Sequence, residues 1–152
     1  MKMNYFVIKN KCIDTLLIDR IYFVTSNIEK CYPKHKEWFY QKFIPGLENG
    51  ERIIVYCQVD KEIAGVVFLK NTPVEKKICT IYVSNNFRNK RIGTRLLEYS
   101  FDILQTSKPL ITFSEEKLEY FEKIIKKYSW ELVETRQDLY QKGKKEYFYN
   151  GK

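Results

Sequence analysis

Apolar and polar residues alternate from Tyr5 to Lys9 with the period of a strand. From Ile13 to Ile28 the apolar positions recur at helical spacing behind Asp14, a candidate N-cap. Pro33 interrupts this pattern. Lys34 to Phe43 then reads as a short amphipathic helix through Trp38 and Phe39, closed by Pro45-Gly46. From Arg52 the chain changes character: Ile53 to Val59 and Ile63 to Leu69 are β-branched runs around a turn at Asp60-Lys61 and predict a hairpin, ended by Asn71-Thr72-Pro73. A third run, Lys77 to Val83, passes through the polar stretch Ser84-Asn85-Asn86-Phe87 into a helix predicted over about Ile92 to Leu104. After Lys108-Pro109, a strand from Leu110 to Phe113 leads into a helix opened by Ser114. The Ser114 side chain can cap that helix, and Glu115 and Glu116 complement its dipole. Trp130 to Thr135 and Glu146 to Tyr149 read as closing strands. The predicted order is β, α, α, β, β, β, α, β, α, β, β, with no internal repeat, so residues 1–152 are expected to form a single domain.

A chain of 152 residues, 44% hydrophobic and 16% aromatic, is too apolar for disorder and long enough to bury its own core. No apolar run approaches the length of a membrane span, and Met1 to Ile8 lacks the pattern of an export signal, so a cytoplasmic protein without membrane contact is expected. Cys12, Cys31, Cys57 and Cys79 are scattered singly with one histidine, His35. That excludes a zinc site of ordinary spacing and makes the thiols small core hydrophobes. The 27 basic residues outnumber 19 acidic ones, for a net charge of +8. Such a surplus favours anionic partners, and charge alone does not choose among nucleic acid, a membrane surface and a phosphorylated cofactor.

Chemistry is concentrated in Ile81-Tyr82-Val83-Ser84-Asn85-Asn86-Phe87-Arg88-Asn89-Lys90-Arg91-Ile92-Gly93-Thr94, where a strand feeds a polar loop and then a helix N-terminus. Unpaired amides and a partial positive charge there suit a pyrophosphate, and Arg88, Lys90 and Arg91 add cations. An ordinary helix start with basic solvent-facing residues would look the same.

Arg88-x-x-Arg91-x-Gly93 resembles the coenzyme A signature of the GNAT acetyltransferases, Arg or Gln, x, x, Gly, x, Gly or Ala. The strand Ile81-Tyr82-Val83 stands where that family carries its pantetheine contacts, and Ile111 to Trp130 is similar to its next strand and helix. The resemblance covers about residues 50–150 well and the first fifty in outline. It implies an α/β (α+β) fold with a mixed, largely antiparallel sheet of six to seven strands flanked by about four helices. It also implies acetyl-CoA as acetyl donor, bound by residues 81–83 and 88–94 together with Ser114 and Phe121. Two positions depart from the pattern. Arg91 replaces the middle glycine and is expected to keep a negative φ. Phe121 stands where relatives often carry a tyrosine beside the thioester sulfur, leaving Tyr120 or Tyr128 to supply a hydroxyl, with Tyr120 expected to protonate the thiolate and Tyr128 to be a packed aromatic.

The same resemblance implies direct attack of an amine on the thioester, with a backbone N–H near Val83 receiving the oxyanion. A lysine amine is only about 0.04% free base at pH 7, whereas an α-amine is about 14% free, so a lysine substrate needs a base more. Lys77 to Val83 holds no carboxylate. His35, Glu37 or an ordered water are the candidates; His35 between lysines also reads as a surface residue, and Trp38 as core or as acceptor-pocket lining. The expected partner is an amine-bearing substrate: a small molecule, a protein amine or an aminoacyl-tRNA. The expected assembly is a monomer or homodimer. The competing reading is a module that binds coenzyme A or RNA without catalysis.

Overall fold

The computed structural model describes residues 2–10 and 14–151. The reading of Cys12 as a core thiol and the helix start at Ile13 lie outside the described residues. Seven strands form one sheet: β1 (Met3–Ile8), β2 (Arg52–Val59), β3 (Glu62–Asn71), β4 (Lys76–Val83), β5 (Leu110–Ser114), β6 (Leu132–Gln137) and β7 (Lys145–Tyr149). Their order is β1-β2-β3-β4-β5-β7-β6. Every neighbouring pair is antiparallel except β4 and β5, which the intervening helix α3 (Ile92–Leu104) makes parallel. The fold is thus mixed α/β with a largely antiparallel sheet, as the resemblance implied.

Helix α1 (Thr15–Val24) starts where Asp14 Oδ1 accepts the Leu17 amide at 3.0 Å. It stops four residues before the predicted end because the Thr25 hydroxyl donates to the Tyr22 carbonyl, and a 3₁₀ segment, Ser26–Lys30, follows. The predicted ten-residue helix at Lys34 is instead a composite. A four-residue α turn, α2 (His35–Trp38), widens into a π turn over Phe39–Phe43 and tightens to 3₁₀ over Ile44–Leu47, where Pro45 has no amide to continue an α ladder.

Two cores lie on opposite faces of the sheet. On one, α1 and the π turn pack Ile21, Phe39 and Phe43 against Ile54, Val66 and Phe68. On the other, α3 and α4 (Leu118–Tyr128) pack Leu96, Leu104 and Phe121 against Val55, Val67, Ile78, Ile111 and Phe113. Coverage on both sides explains why β2 and β3 are continuous apolar runs without alternation. Each fully buried phenylalanine or leucine contributes about 1.5–3 kcal/mol through removal from water.

The feature that builds a site is a gap. β4 and β5 are joined at only two rungs, Lys77–Leu110 and Ile78–Ile111. Directly after the second rung, Cys79 is left without a partner as β3 pairs Leu69 with Ile78 and Phe68 with Thr80. An extra residue bends and twists a strand. β4 therefore swings away from β5, which β7 holds in place as far as Ser114, opposite Glu146.

Candidate active site

Val83 closes β4 against the gap. The Ser84 amide donates to Ala64 O at 2.9 Å and so turns toward β3. Alternation along a strand then turns the N–H and C=O of Val83 the other way, into the opening. Arg88 agrees with this: its Nε donates to Val83 O at 3.0 Å, and its guanidinium lies 5.6 Å over the Tyr82 ring. The Arg88 charge is therefore folded back onto the strand end instead of extending with Lys90 and Arg91 into solvent. Ile81 packs toward the α3 face, whereas Tyr82 packs toward the α1 face.

Beyond Arg88 the backbone sign of φ alternates. Asn89 has φ 62° and Arg91 φ 64°, Lys90 between them is not left-handed, and Ile92 begins α3. Arg91 thus corrects the expectation of a negative φ. As the N-cap of α3 it adopts the left-handed conformation that glycine provides without strain, at about 1 kcal/mol for a residue with a Cβ. Alternating left- and right-handed residues turn successive amides to one side and form an anion-binding concavity. Among the described residues, the amides of Asn89, Lys90, Arg91, Ile92, Gly93 and Thr94 meet no acceptor within the protein. They continue into the positive end of a 13-residue helix, with the Lys90 and Arg91 side chains exposed beside them. A pyrophosphate fits this donor set. Ile92 offers this loop only its backbone, its side chain being buried in the core beneath the start of α3.

Across the gap, α4 brings Tyr120. A 3₁₀ turn over Glu115–Lys117 precedes the helix. Three residues at about 120° instead of about 100° add roughly 60° of rotation, so Tyr120 is turned a little over half of the way toward the direction that Phe121 would have in an unbroken α-helix. A Cβ on Gly93 would collide with the Tyr120 hydroxyl and would lie 3.6 Å from Val83 Cγ2. Tyr120 is 53% exposed overall, so only local desolvation of its hydroxyl raises its pKa above the ordinary value, while the Arg88 charge pulls it down.

Phe121 is corrected: 3% exposed and stacked on Phe113 at 4.4 Å, it is core and does not face the gap. Ser114 is corrected as a cap, for it makes no side-chain cap hydrogen bond; it is the buried last residue of β5. Tyr128 packs edge-on against Phe101 at 4.8 Å, toward the far end of α4. His35 is not a surface histidine, and its Nε2 is committed to Thr25. It is 5% exposed and stacked between Tyr22 and Trp38, with Nε2 2.8 Å from Thr25 Oγ1. Since the single Thr25 hydroxyl hydrogen goes to Tyr22 O at 2.8 Å, Nε2 carries the proton and donates. Glu37 is exposed, and Trp38 is half-buried against Phe43 and Phe68 with Arg52 over its ring.

One residue escaped the sequence reading. Glu146 is 3% exposed, and Tyr32 Oη donates to its carboxylate at 2.9 and 3.2 Å. Its only sequence signal is a lone acid at the start of an otherwise aromatic strand, Glu146-Tyr147-Phe148-Tyr149.

Residues 17–115 match the profile of the Acetyltransferase (GNAT) family. The chain belongs to that family of acetyl-transferring enzymes. No curated protein matches it. Among solved structures, an aminoglycoside 6'-N-acetyltransferase complexed with coenzyme A is 15% identical over 98% of this chain and 95% of its own, with a TM-score of 0.70. A GNAT-family acetyltransferase from Bacillus cereus is 18% identical over 98% and 96%, with a TM-score of 0.65. An IAA acetyltransferase from the same species is 13% identical over 97% of both chains, with a TM-score of 0.67. At such identities the likeness is one of fold. Among the described residues of this GNAT chain, no helix is long and apolar enough to cross a membrane, and no cluster of His, Cys, Asp or Glu is suited to a metal ion.

Proposed function

We propose that the protein transfers an acetyl group from acetyl-CoA directly to a primary amine. The observation that carries this reading is the Val83 N–H turned into the β4–β5 gap, with the Tyr120 hydroxyl against Gly93 close to the Val83 side chain. Acetyl-CoA supplies an activated acetyl thioester. The amides of Asn89 to Thr94 would hold its pyrophosphate, with Lys90 and Arg91 adding charge. The Val83 amide would receive the carbonyl oxygen as negative charge builds on it, a contribution of about 3–4 kcal/mol for a single preorganised donor. Tyr120 would give its proton to the departing sulfur. No side chain need become acylated.

Calorimetry and a thiol-release assay test this together. Acetyl-CoA should bind wild type, and coenzyme A release should accelerate with a panel of primary amines comprising spermidine, kanamycin and a lysyl peptide. Tyr120→Phe should lower kcat by about 100-fold while leaving acetyl-CoA affinity within about twofold. Tight binding with no amine-stimulated release from wild type would reject catalysis in favour of a coenzyme A-binding module. Full kcat in Tyr120→Phe would reject the phenol as acid.

A further inference from the structure

The reading above leaves the amine without a partner, and the chain's least explained polar group stands across the gap. β5 continues three residues, about 10 Å, beyond its last rung with β4, and its end, Ser114, is paired with Glu146 of β7. Glu146 is therefore at the open end of the sheet, the end at which Val83 terminates β4. Its neighbours Tyr147 and Tyr149 pack against the α3–α4 core, so alternation sends the Glu146 carboxylate to the opposite face. There it meets Tyr32, from the segment between α1 and α2. Tyr120 and the loop amides approach the gap from the α3–α4 face. The two faces of this end of the sheet thus carry different chemistry: loop amides and a phenol on one, and on the other, one strand beyond β5, a buried carboxylate.

Among the described residues Glu146 is the only buried carboxylate, and no ion pair reaches it. Leaving a buried carboxylate without a cation costs several kcal/mol, which hydroxyl donors offset only in part. Burial accordingly lifts its pKa, against the opposing pull of the Tyr32 and Thr112 hydroxyls and the Lys77 charge. Tyr140 stands edge-on to Tyr32 at 4.9 Å, and Arg136, opposite Glu146 on β6, is engaged with Glu134 and the Phe148 ring.

We propose that Glu146 binds the acceptor's ammonium group and takes its proton, with Tyr32 holding the carboxylate in place. This rests on the acetyl-transfer reading. Of the three ammonium protons, Glu146 removes one, freeing the lone pair that forms the C–N bond. A second leaves the nitrogen after that bond forms and replaces the proton that Tyr120 gave to sulfur as the C–S bond breaks. The third remains on the product amide. Glu146 then returns its proton to solvent. The acceptor class is a cationic primary amine, and a carboxylate raised by burial is better matched to an ammonium than an exposed one.

The test compares wild type, Glu146→Gln and Tyr32→Phe in the amine-stimulated thiol-release assay across pH, with acetyl-CoA affinity and Tm measured in parallel. Glu146→Gln keeps the shape and an acceptor for the Tyr32 hydroxyl. It should lower kcat/KM for the best amine by about 100-fold, abolish the acidic limb of the wild-type pH profile, and leave acetyl-CoA affinity unchanged. Tyr32→Phe should displace that limb and cost about 10-fold. An undiminished rate with the acidic limb intact in Glu146→Gln would overturn this assignment alone. A Tm loss in Glu146→Gln with kcat/KM and limb preserved would make Glu146 a structural residue and overturn it equally. Wild type that binds acetyl-CoA but releases no thiol with any amine would instead overturn the acetyl-transfer reading.

Discussion

The Tyr120 hydroxyl occupies the space above Gly93 that a Cβ would fill, although the two residues belong to different helices. Gly93 matters here for close approach, since its φ is not left-handed.

Gly93→Ala should therefore leave the fold intact while moving the phenol. The displaced atom is the tip of a long side chain, and alanine gains about 1 kcal/mol over glycine within a helix. Tm is expected to hold or rise while kcat falls, with acetyl-CoA affinity changing less than kcat. Wild-type kcat in Gly93→Ala would show that the hydroxyl's position is immaterial.

Exchanging the aromatic pair should not rescue activity. In Tyr120→Phe/Phe121→Tyr, the new hydroxyl enters a site packed by Phe113 and Trp130. Without a partner it should cost about 1–3 kcal/mol, measured by urea denaturation. Thiol release should stay at the level of the Tyr120→Phe single variant. Recovery in the double variant would mean that α4 can rotate to the register of its relatives.

Arg91 holds a left-handed φ of 64° at the N-cap of α3. Arg91→Gly should stabilise the fold by about 1 kcal/mol, read as a higher denaturation midpoint, and weaken acetyl-CoA binding less than twofold because the lost cation is solvent-exposed. A destabilised Arg91→Gly would indicate that the arginine side chain contributes more than its backbone costs.

Burial lowers the His35 pKa below its ordinary value near 6.5, with Glu29 pulling weakly upward. The unfolded chain then binds a proton at this group before the folded chain does, so stability falls as pH drops below about 6.5 until the folded-state pKa is passed. His35→Gln, which can still donate to Thr25, should lose less Tm than wild type between pH 7.5 and 5.5. Thr25→Val should cost about 1–3 kcal/mol at pH 7.5 by stranding the imidazole N–H. Equal pH slopes in wild type and His35→Gln would exclude the buried histidine as their source.

Element order, the span of α3 and the loop from Ser84 to Gly93 were legible along the chain, because each rests on contacts or periodicities a few residues apart: Asp14 capping Leu17, β-branched runs, a cluster of cations before a glycine. Tyr120 was legible as a candidate hydroxyl on α4, but its angle was not. That angle depends on a 3₁₀ turn at Glu115–Lys117, beside which Glu115 accepts the Lys145 amide from β7, thirty residues away. Arg91's left-handed backbone was misread because residue type sets only a preference for φ, and the geometry joining β4 to α3 overrides it.

What the sequence by itself determined is therefore the list of elements and the clustering of cations at the loop that opens α3, both products of local chemistry. Only the tertiary structure decided where the side chains meet. Burial removed His35 and Phe121 from the surface into aromatic stacks. The bulge at Cys79 opened β4 from β5. Pairing of β7 with β5 set Glu146 beside Tyr32, 114 positions away in sequence, at the open end of the sheet. Such pairings depend on which faces are covered and which strand edges are left free, and hydrophobic period does not encode either.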